Sequence, residues 1–161
     1  HVDDIKADID RALQAAAGNF MTLFLALLDP AGGEICWVRA GHEPALLYDA
    51  GDDSFRELRG HGMALGVDQE QEYASQTYPG WNDRHLLLFG TDGIWESENP
   101  AGERFGKERL RRLLREHHQC SPTDILRAVT DAVAAFRREA VQHDDITLVV
   151  VKFRPAAAAG D

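Results

Sequence analysis

The chain has 161 residues, with 17 Lys+Arg against 27 Asp+Glu and a formal net charge of −10. That length suits one domain with a sizeable core, and 44% apolar with 27% charged residues is a globular rather than a disordered composition. The acid excess argues against a nucleic-acid surface, which needs clustered Lys and Arg, while no apolar run approaches the roughly 20 residues of a membrane span.

Taken in chain order, Val2, Ile5, Ile9, Leu13 and Ala16 share one helical face, which predicts a helix over residues 1–18 that stops near Gly18. The acids in its first turns do not resemble a secretory leader, and Cys36 and Cys120, far apart and without a C-x-x-C partner, fit the expectation of a cytoplasmic protein. Phe20 to Leu28 is almost continuously apolar and reads as a strand buried on both faces. Asp29-Pro30-Ala31-Gly32-Gly33 then predicts a turn, with Ile35 to Val38 returning as a hairpin partner. Ala45 to Tyr48 and Phe55 to Leu58 read as a second hairpin around Ala50-Gly51-Asp52-Asp53. Glu72 to Tyr78 alternates weakly, as an edge strand does. His85 to Phe89 reads as buried.

Two helices follow. Phe105, Leu110, Leu113 and Leu114 mark one face of the first. Ser121-Pro122-Thr123-Asp124 supplies an N-cap, a first-turn proline and an acid for the second, whose face is Ile125, Val129, Val133 and Phe136. Ile146 to Phe153 closes residues 19–154 as a β-rich run, and residues 155–161 read as a frayed, Ala-rich tail. Strands in hairpins, then helices, then a last strand predict an α+β fold with antiparallel sheets covered by helices.

Two acidic sites stand at strand ends. In Leu86-Leu87-Leu88-Phe89-Gly90-Thr91-Asp92-Gly93, an apolar strand runs into Asp92 between glycines expected to let the backbone turn tightly. In Asp144-Asp145-Ile146-Thr147-Leu148, two adjacent carboxylates precede another apolar run expected to be buried. Adjacent like charges repel, and a hard divalent cation such as Mg²⁺ or Mn²⁺ is their natural compensator. Either motif alone also reads as ordinary turn or loop chemistry. Together they bring a metal site into contention.

Other features read as structural. These are the Ala40-Gly41-His42-Glu43-Pro44 turn, His117-His118 at a helix end, and Trp37, Trp81 and Trp95 as packing residues. Cys36 and Cys120 read as reduced, packed thiols. Ser54 and Ser97 lack a nucleophile context, and no dinucleotide or P-loop glycine motif occurs.

Several segments, in this order, resemble the bacterial metal-dependent protein Ser/Thr phosphatases of the stage II sporulation protein E type, within the protein phosphatase 2C-like superfamily. They are Phe20-Met21-Thr22-Leu23-Phe24 with Leu28-Asp29, Ala40-Gly41-His42-Glu43-Pro44-Ala45-Leu46-Leu47, Leu65-Gly66, Leu88 through Glu96, Phe105-Gly106 with Leu110, and His143 through Val150. The resemblance covers about Phe20 to Phe153. It implies an α-β-β-α sandwich of two packed antiparallel sheets flanked by helices. The implied activity is hydrolysis of phosphoserine or phosphothreonine by a water shared between two Mn²⁺ or Mg²⁺ ions. The implied partner is a regulatory protein of the anti-sigma-factor-antagonist type, with an upstream sensor or receiver domain and a homodimer as further expectations. By the same resemblance Asp92 and Asp144 match metal-binding acids that act through metal-bound water, and Asp145 is an adjacent metal-binding candidate. Glu43 stands where the family has Asn. The family's early Gly-Asp-x-Ser-Gly-His-Gly segment, whose Asp bridges both metals, does not occur in this sequence. The expectation is therefore either a phosphatase domain recorded without that segment or a catalytically inactive, phosphatase-like scaffold for partner binding or dimerisation.

Overall fold

The computed structural model describes residues 19–68 and 70–153. The expected N-terminal helix and the Ala-rich tail lie outside these residues. The described chain contains seven strands and two helices, divided between two compact units.

The first unit comprises residues up to Pro44 together with Leu58–Trp81. Its strands β1 (Leu23–Asp29), β2 (Glu34–Ala40) and β5 (Gln76–Pro79) form a three-stranded antiparallel sheet with β2 in the centre. The β1–β2 hairpin is in register from Leu23↔Ala40 to Asp29↔Glu34. Its turn closes as the residues require: the Asp29 carboxylate accepts from Ala31 N–H at 2.9 Å, and Gly33 takes φ +64°. Strand β1 departs from expectation. It is an edge strand, and Leu27 is 71% exposed rather than buried on both faces. Its apolar run identified a strand correctly but not its position in the sheet.

The second unit, Ala45–Glu57 with the chain from Asn82 onward, carries the four-stranded sheet. Its order is β4 (Ser54–Leu58), β3 (Ala45–Asp49), β6 (His85–Gly90), β7 (Leu148–Lys152). Strand β6 pairs antiparallel with β3 on one side and β7 on the other. This central place explains why Leu86, Leu87 and Leu88 are all nearly inaccessible, as the apolar run predicts. Strand β7 lies at the edge, and Val149 is 48% exposed, so the run after Asp145 is only half-buried. Leu46, Tyr48, Leu86 and Leu88 pack with Ile94, Phe105 and the helical residues Leu110, Leu114, Ile125, Val129 and Val133 into one core.

Helix α1 spans Gly106–His117 and α2 spans Pro122–Arg137. Ser121 caps α2 as predicted: its Oγ accepts from Asp124 N–H at 3.2 Å and donates to the Asp124 carboxylate at 2.6 Å. Just beyond α1, Lys152 Nζ donates to the carbonyls of His118 and Cys120, placing a cation at a helix C-terminal end. Cys36 and Cys120 are free; Cys120 is exposed rather than packed.

A polar clasp ties the β3–β4 turn to α1. The Asp53 carboxylate accepts from Arg115 Nε at 2.7 Å and from the Tyr48 hydroxyl at 3.1 Å. Hydrogen bonding to Arg115 holds the Asp53 carboxyl below its ordinary range, while burial first and Asp53 second push the Tyr48 phenol up. The contribution of Asp53 is complete above the ordinary carboxylate pKa and is lost as pH falls through the lowered value. In Arg115→Gln, which removes the main cause of that lowering, the loss on acidification should be smaller and the melting temperatures of variant and parent should converge at low pH, as thermal melts between pH 2 and 6 would show. An unchanged acid limb would refute the clasp. Val129→Asp, placing an unpaired charge where exposure is 1%, should abolish the cooperative melt followed by circular dichroism.

Candidate functional site

The candidate site lies within the second unit, where β6 and β7 end. The last ladder pair is Gly90↔Leu148. One residue further on, Thr91 N–H donates to the Thr147 carbonyl at 3.1 Å. The Thr91 side chain continues the pairing: Oγ1 donates to the Asp145 carbonyl at 2.9 Å and accepts from Thr147 N–H at 3.0 Å. Three hydrogen bonds thus join the Thr91-Asp92-Gly93 turn to the Asp145-Ile146-Thr147 segment more than 50 residues away.

The expected tight turn forms beyond β6, where Ile94 N–H donates to the Thr91 carbonyl at 3.2 Å around Asp92-Gly93. It needs no positive φ at Gly90 or Gly93, and what these glycines supply is close approach. A Cβ on Gly93 would sit 2.5 Å from the Asp145 carbonyl oxygen, and one on Gly90 would sit 2.7 Å from Ile94 Cδ1. Only hydrogen fits against that backbone oxygen. The turn is braced from its other side by Ser97, whose Oγ donates to the Gly93 carbonyl at 2.6 Å, and by Glu96 N–H, which donates to the Asp92 carbonyl at 2.8 Å.

The structure therefore brings together the two segments that carry Asp92, Asp144 and Asp145. Asp92 is half-buried, and Asp144 and Asp145 are exposed. The Asp144 carboxylate accepts from Asp145 N–H at 2.8 Å, which fixes its own loop. Carboxylates offer the hard oxygen donors that Mg²⁺ and Mn²⁺ favour. No group of three His, Cys, Asp or Glu side chains able to hold an ion occurs among the described residues. The three acids fit a divalent cation in donor chemistry but form only part of a ligand set.

Beside them is a cleft of about 200 Å³ lined by Gly93, Ser97, Arg104, Arg137, His143 and Asp144, among others. The sequence reading singled out neither arginine, because each lies outside the strand-end motifs. Arg104 is neutralised by Glu96 at 2.8 Å and Glu98 at 3.9 Å. Arg137 is the last residue of α2, and its Nη1 donates to Gln142 Oε1. The Ala40–Pro44 turn is structural in the first unit. There Gly41 has φ +65°, and His42 Nδ1 lies 3.1 Å from Thr22 Oγ1.

The family described as Stage II sporulation protein E (SpoIIE) matches residues 1–154. Phosphoserine phosphatase RsbU of Bacillus subtilis is 27% identical over 159 residues, which is 94% of this chain and 45% of that protein. Protein IcfG of Synechocystis sp. is 28% identical over 135 residues, 82% of this chain and 20% of that protein. The chain thus spans less than half the length of either relative. Among solved structures, the SiaA-PP2C domain of Pseudomonas aeruginosa aligns with a TM-score of 0.78 at 23% identity, covering 93% of this chain and 60% of that one. The phosphatase domain of Bacillus subtilis SpoIIE, presoaked with Mn, aligns at 0.62 and 18% identity, covering 84% and 58%. The RsbU and RsbW domains of a Mycobacterium tuberculosis protein align at 0.68 and 26%, covering 89% and 39%. The antiparallel sheets and helices described above are the fold these phosphatase domains share.

Gly93→Ala should cost about 1–3 kcal/mol by overpacking against the backbone. Thr91→Val should cost about 1 kcal/mol or more through lost hydrogen bonds. Denaturant titration would check both. A Gly93→Ala protein as stable as its parent would contradict the close approach to Asp145.

Proposed function

This chain belongs to the stage II sporulation protein E family, and on that premise we propose that it is the catalytic domain of a metal-dependent protein phosphatase that hydrolyses phosphoserine or phosphothreonine on a regulatory partner protein. The observation that carries the reading is the Thr91 bridge, which sets Asp92 and the Asp144-Asp145 pair at neighbouring strand ends. The name of the relative RsbU, a phosphoserine phosphatase, supports the reaction. The structure that joins RsbU and RsbW domains supports a regulatory partner, and the anti-sigma-factor-antagonist class of that partner is part of the proposal.

Asp92 and Asp144, with Asp145 as a neighbour, would hold Mn²⁺ or Mg²⁺. Bound there, a pair of such ions supplies Lewis acidity toward phosphoryl oxygens and an acidified water for in-line attack. The protein's own part is positioning. The Thr91 bridge and the Ser97–Gly93 bond keep the Asp92 turn in place, and the bond from Asp145 N–H orients the Asp144 carboxylate. No protein nucleophile is needed, consistent with Ser97 Oγ being engaged by the Gly93 carbonyl.

A second reading, a catalytically inactive scaffold, is favoured by the lack of a three-ligand group among the described residues. One assay separates the two: Mn²⁺-dependent release of phosphate from a phosphoserine protein substrate by the full-length protein, its Asp92→Ala form and its Asp144→Ala form. The phosphatase reading expects each substitution to lower the rate by about 100-fold or more, the scale of losing one preorganised electrostatic stabiliser. Equal rates in all three, or no activity in the parent, would favour the scaffold.

A further inference from the structure

The cleft beside Asp144 holds two arginines in different electrostatic states. Arg104 is exposed and already paired with Glu96 and Glu98. Arg137 is half-buried, and its one described partner is the neutral amide oxygen of Gln142. Its Nε is buried and has no hydrogen-bond acceptor. A guanidinium stays charged at any working pH, so Arg137 brings a positive charge with no carboxylate partner among the described residues, and an unused donor, to a cleft that also contains Asp144. Buried donors without acceptors are rare, and the deficit here is of a kind that an oxyanion fills.

The backbone around Arg137 is built to present it. Helix α2 ends there because Arg138 adopts φ 52° and ψ −117°, a conformation that a residue with a Cβ rarely takes. Ala140 N–H donates to the Arg137 carbonyl at 3.0 Å, closing a tight turn of the type that normally places glycine at the Arg138 position. That reversal returns the chain so that Gln142 reaches Arg137 Nη1, and His143 and Asp144 follow directly. Strain at a non-glycine residue beside a candidate site is a feature that surrounding structure must sustain.

We propose that Arg137 binds the phosphoryl group of the substrate, donating to its non-bridging oxygens while Gln142 holds the guanidinium in orientation. This rests on the phosphatase reading and extends it by assigning substrate recognition to a residue outside the acidic motifs. The cleft's volume accommodates a phosphoryl group together with part of the side chain that carries it. Arg104, already neutralised by two glutamates, serves the Asp92-side loop rather than the anion.

The test uses the full-length protein with Mn²⁺, para-nitrophenyl phosphate as substrate and inorganic phosphate as competing product. In Arg137→Gln the inhibition constant for phosphate and the KM should both rise about tenfold or more, the scale of losing a charge-assisted hydrogen bond. The Mn²⁺ concentration for half-activation should stay unchanged. Arg137→Lys keeps the charge but loses the fork and should fall between the two; it also serves if the glutamine form folds poorly. Arg112→Gln, which removes an exposed charge on α1, should match the parent. Unchanged phosphate inhibition in an active Arg137→Gln protein would overturn this proposal alone. So would a shift in Mn²⁺ dependence without a shift in phosphate inhibition. A parent that neither hydrolyses the substrate nor binds phosphate by titration calorimetry would overturn the phosphatase reading, and this proposal with it.

Discussion

The hydroxyl of Thr91 carries the arrangement on which the candidate site depends. Strand pairing between β6 and β7 brings the two chain segments together as far as Gly90 and Leu148. Beyond that point the segments must open to expose their acids, and the backbone loses its regular partners. A hydroxyl can donate and accept at once, so Thr91 satisfies the Asp145 carbonyl and the Thr147 amide with a single side chain. Each bond adds only about 0.5–1.5 kcal/mol, but the two lie where the ladder would otherwise fray. Gly93 completes the join by letting the Asp145 backbone come as near as it does.

Charge is arranged around that join with the same economy. Acids cluster on the loops, where a divalent cation would offset their repulsion. The surrounding cations are committed one by one: Arg104 to Glu96 and Glu98, Arg109 to Glu103, Arg115 to Asp53. Lys152 is committed to carbonyls beyond the end of α1. Arg137 is the exception in the cleft, held by a neutral amide and unmatched by a carboxylate among the described residues. Among the described residues this guanidinium has no carboxylate partner, and that local deficit, against the chain's net charge of −10, is the basis for assigning it an anionic ligand.

Much of this was legible in the residues before any coordinates. The 3- and 4-residue spacing of Ile125, Val129 and Val133 identifies the buried face of α2, and Ser121-Pro122 its start, because capping and periodicity are local effects. The turn chemistry around Asp29 and Gly33 marks the first hairpin for the same reason. Asp92 and Asp144 stood out because an acid at the end of an apolar run is locally anomalous. Burial of β1 and β7 was overestimated, since an apolar run looks alike in a central strand and an edge strand. The neighbours a strand acquires come from the whole sheet.

Local interactions between residues a few positions apart are written in composition and spacing. They sufficed here for the described strands, the two described helices and the acidic motifs. Tertiary structure alone decided that Thr91 reaches Asp145, that the Gly93 hydrogen faces a backbone oxygen, and that Arg137 faces the same cleft as Asp144. Those contacts join segments whose separation along the chain carries no periodic signal. Their geometry is set by the packing of α1 and α2 on the β3–β6–β7 sheet and by the strained turn at Arg138, which no single stretch of sequence contains.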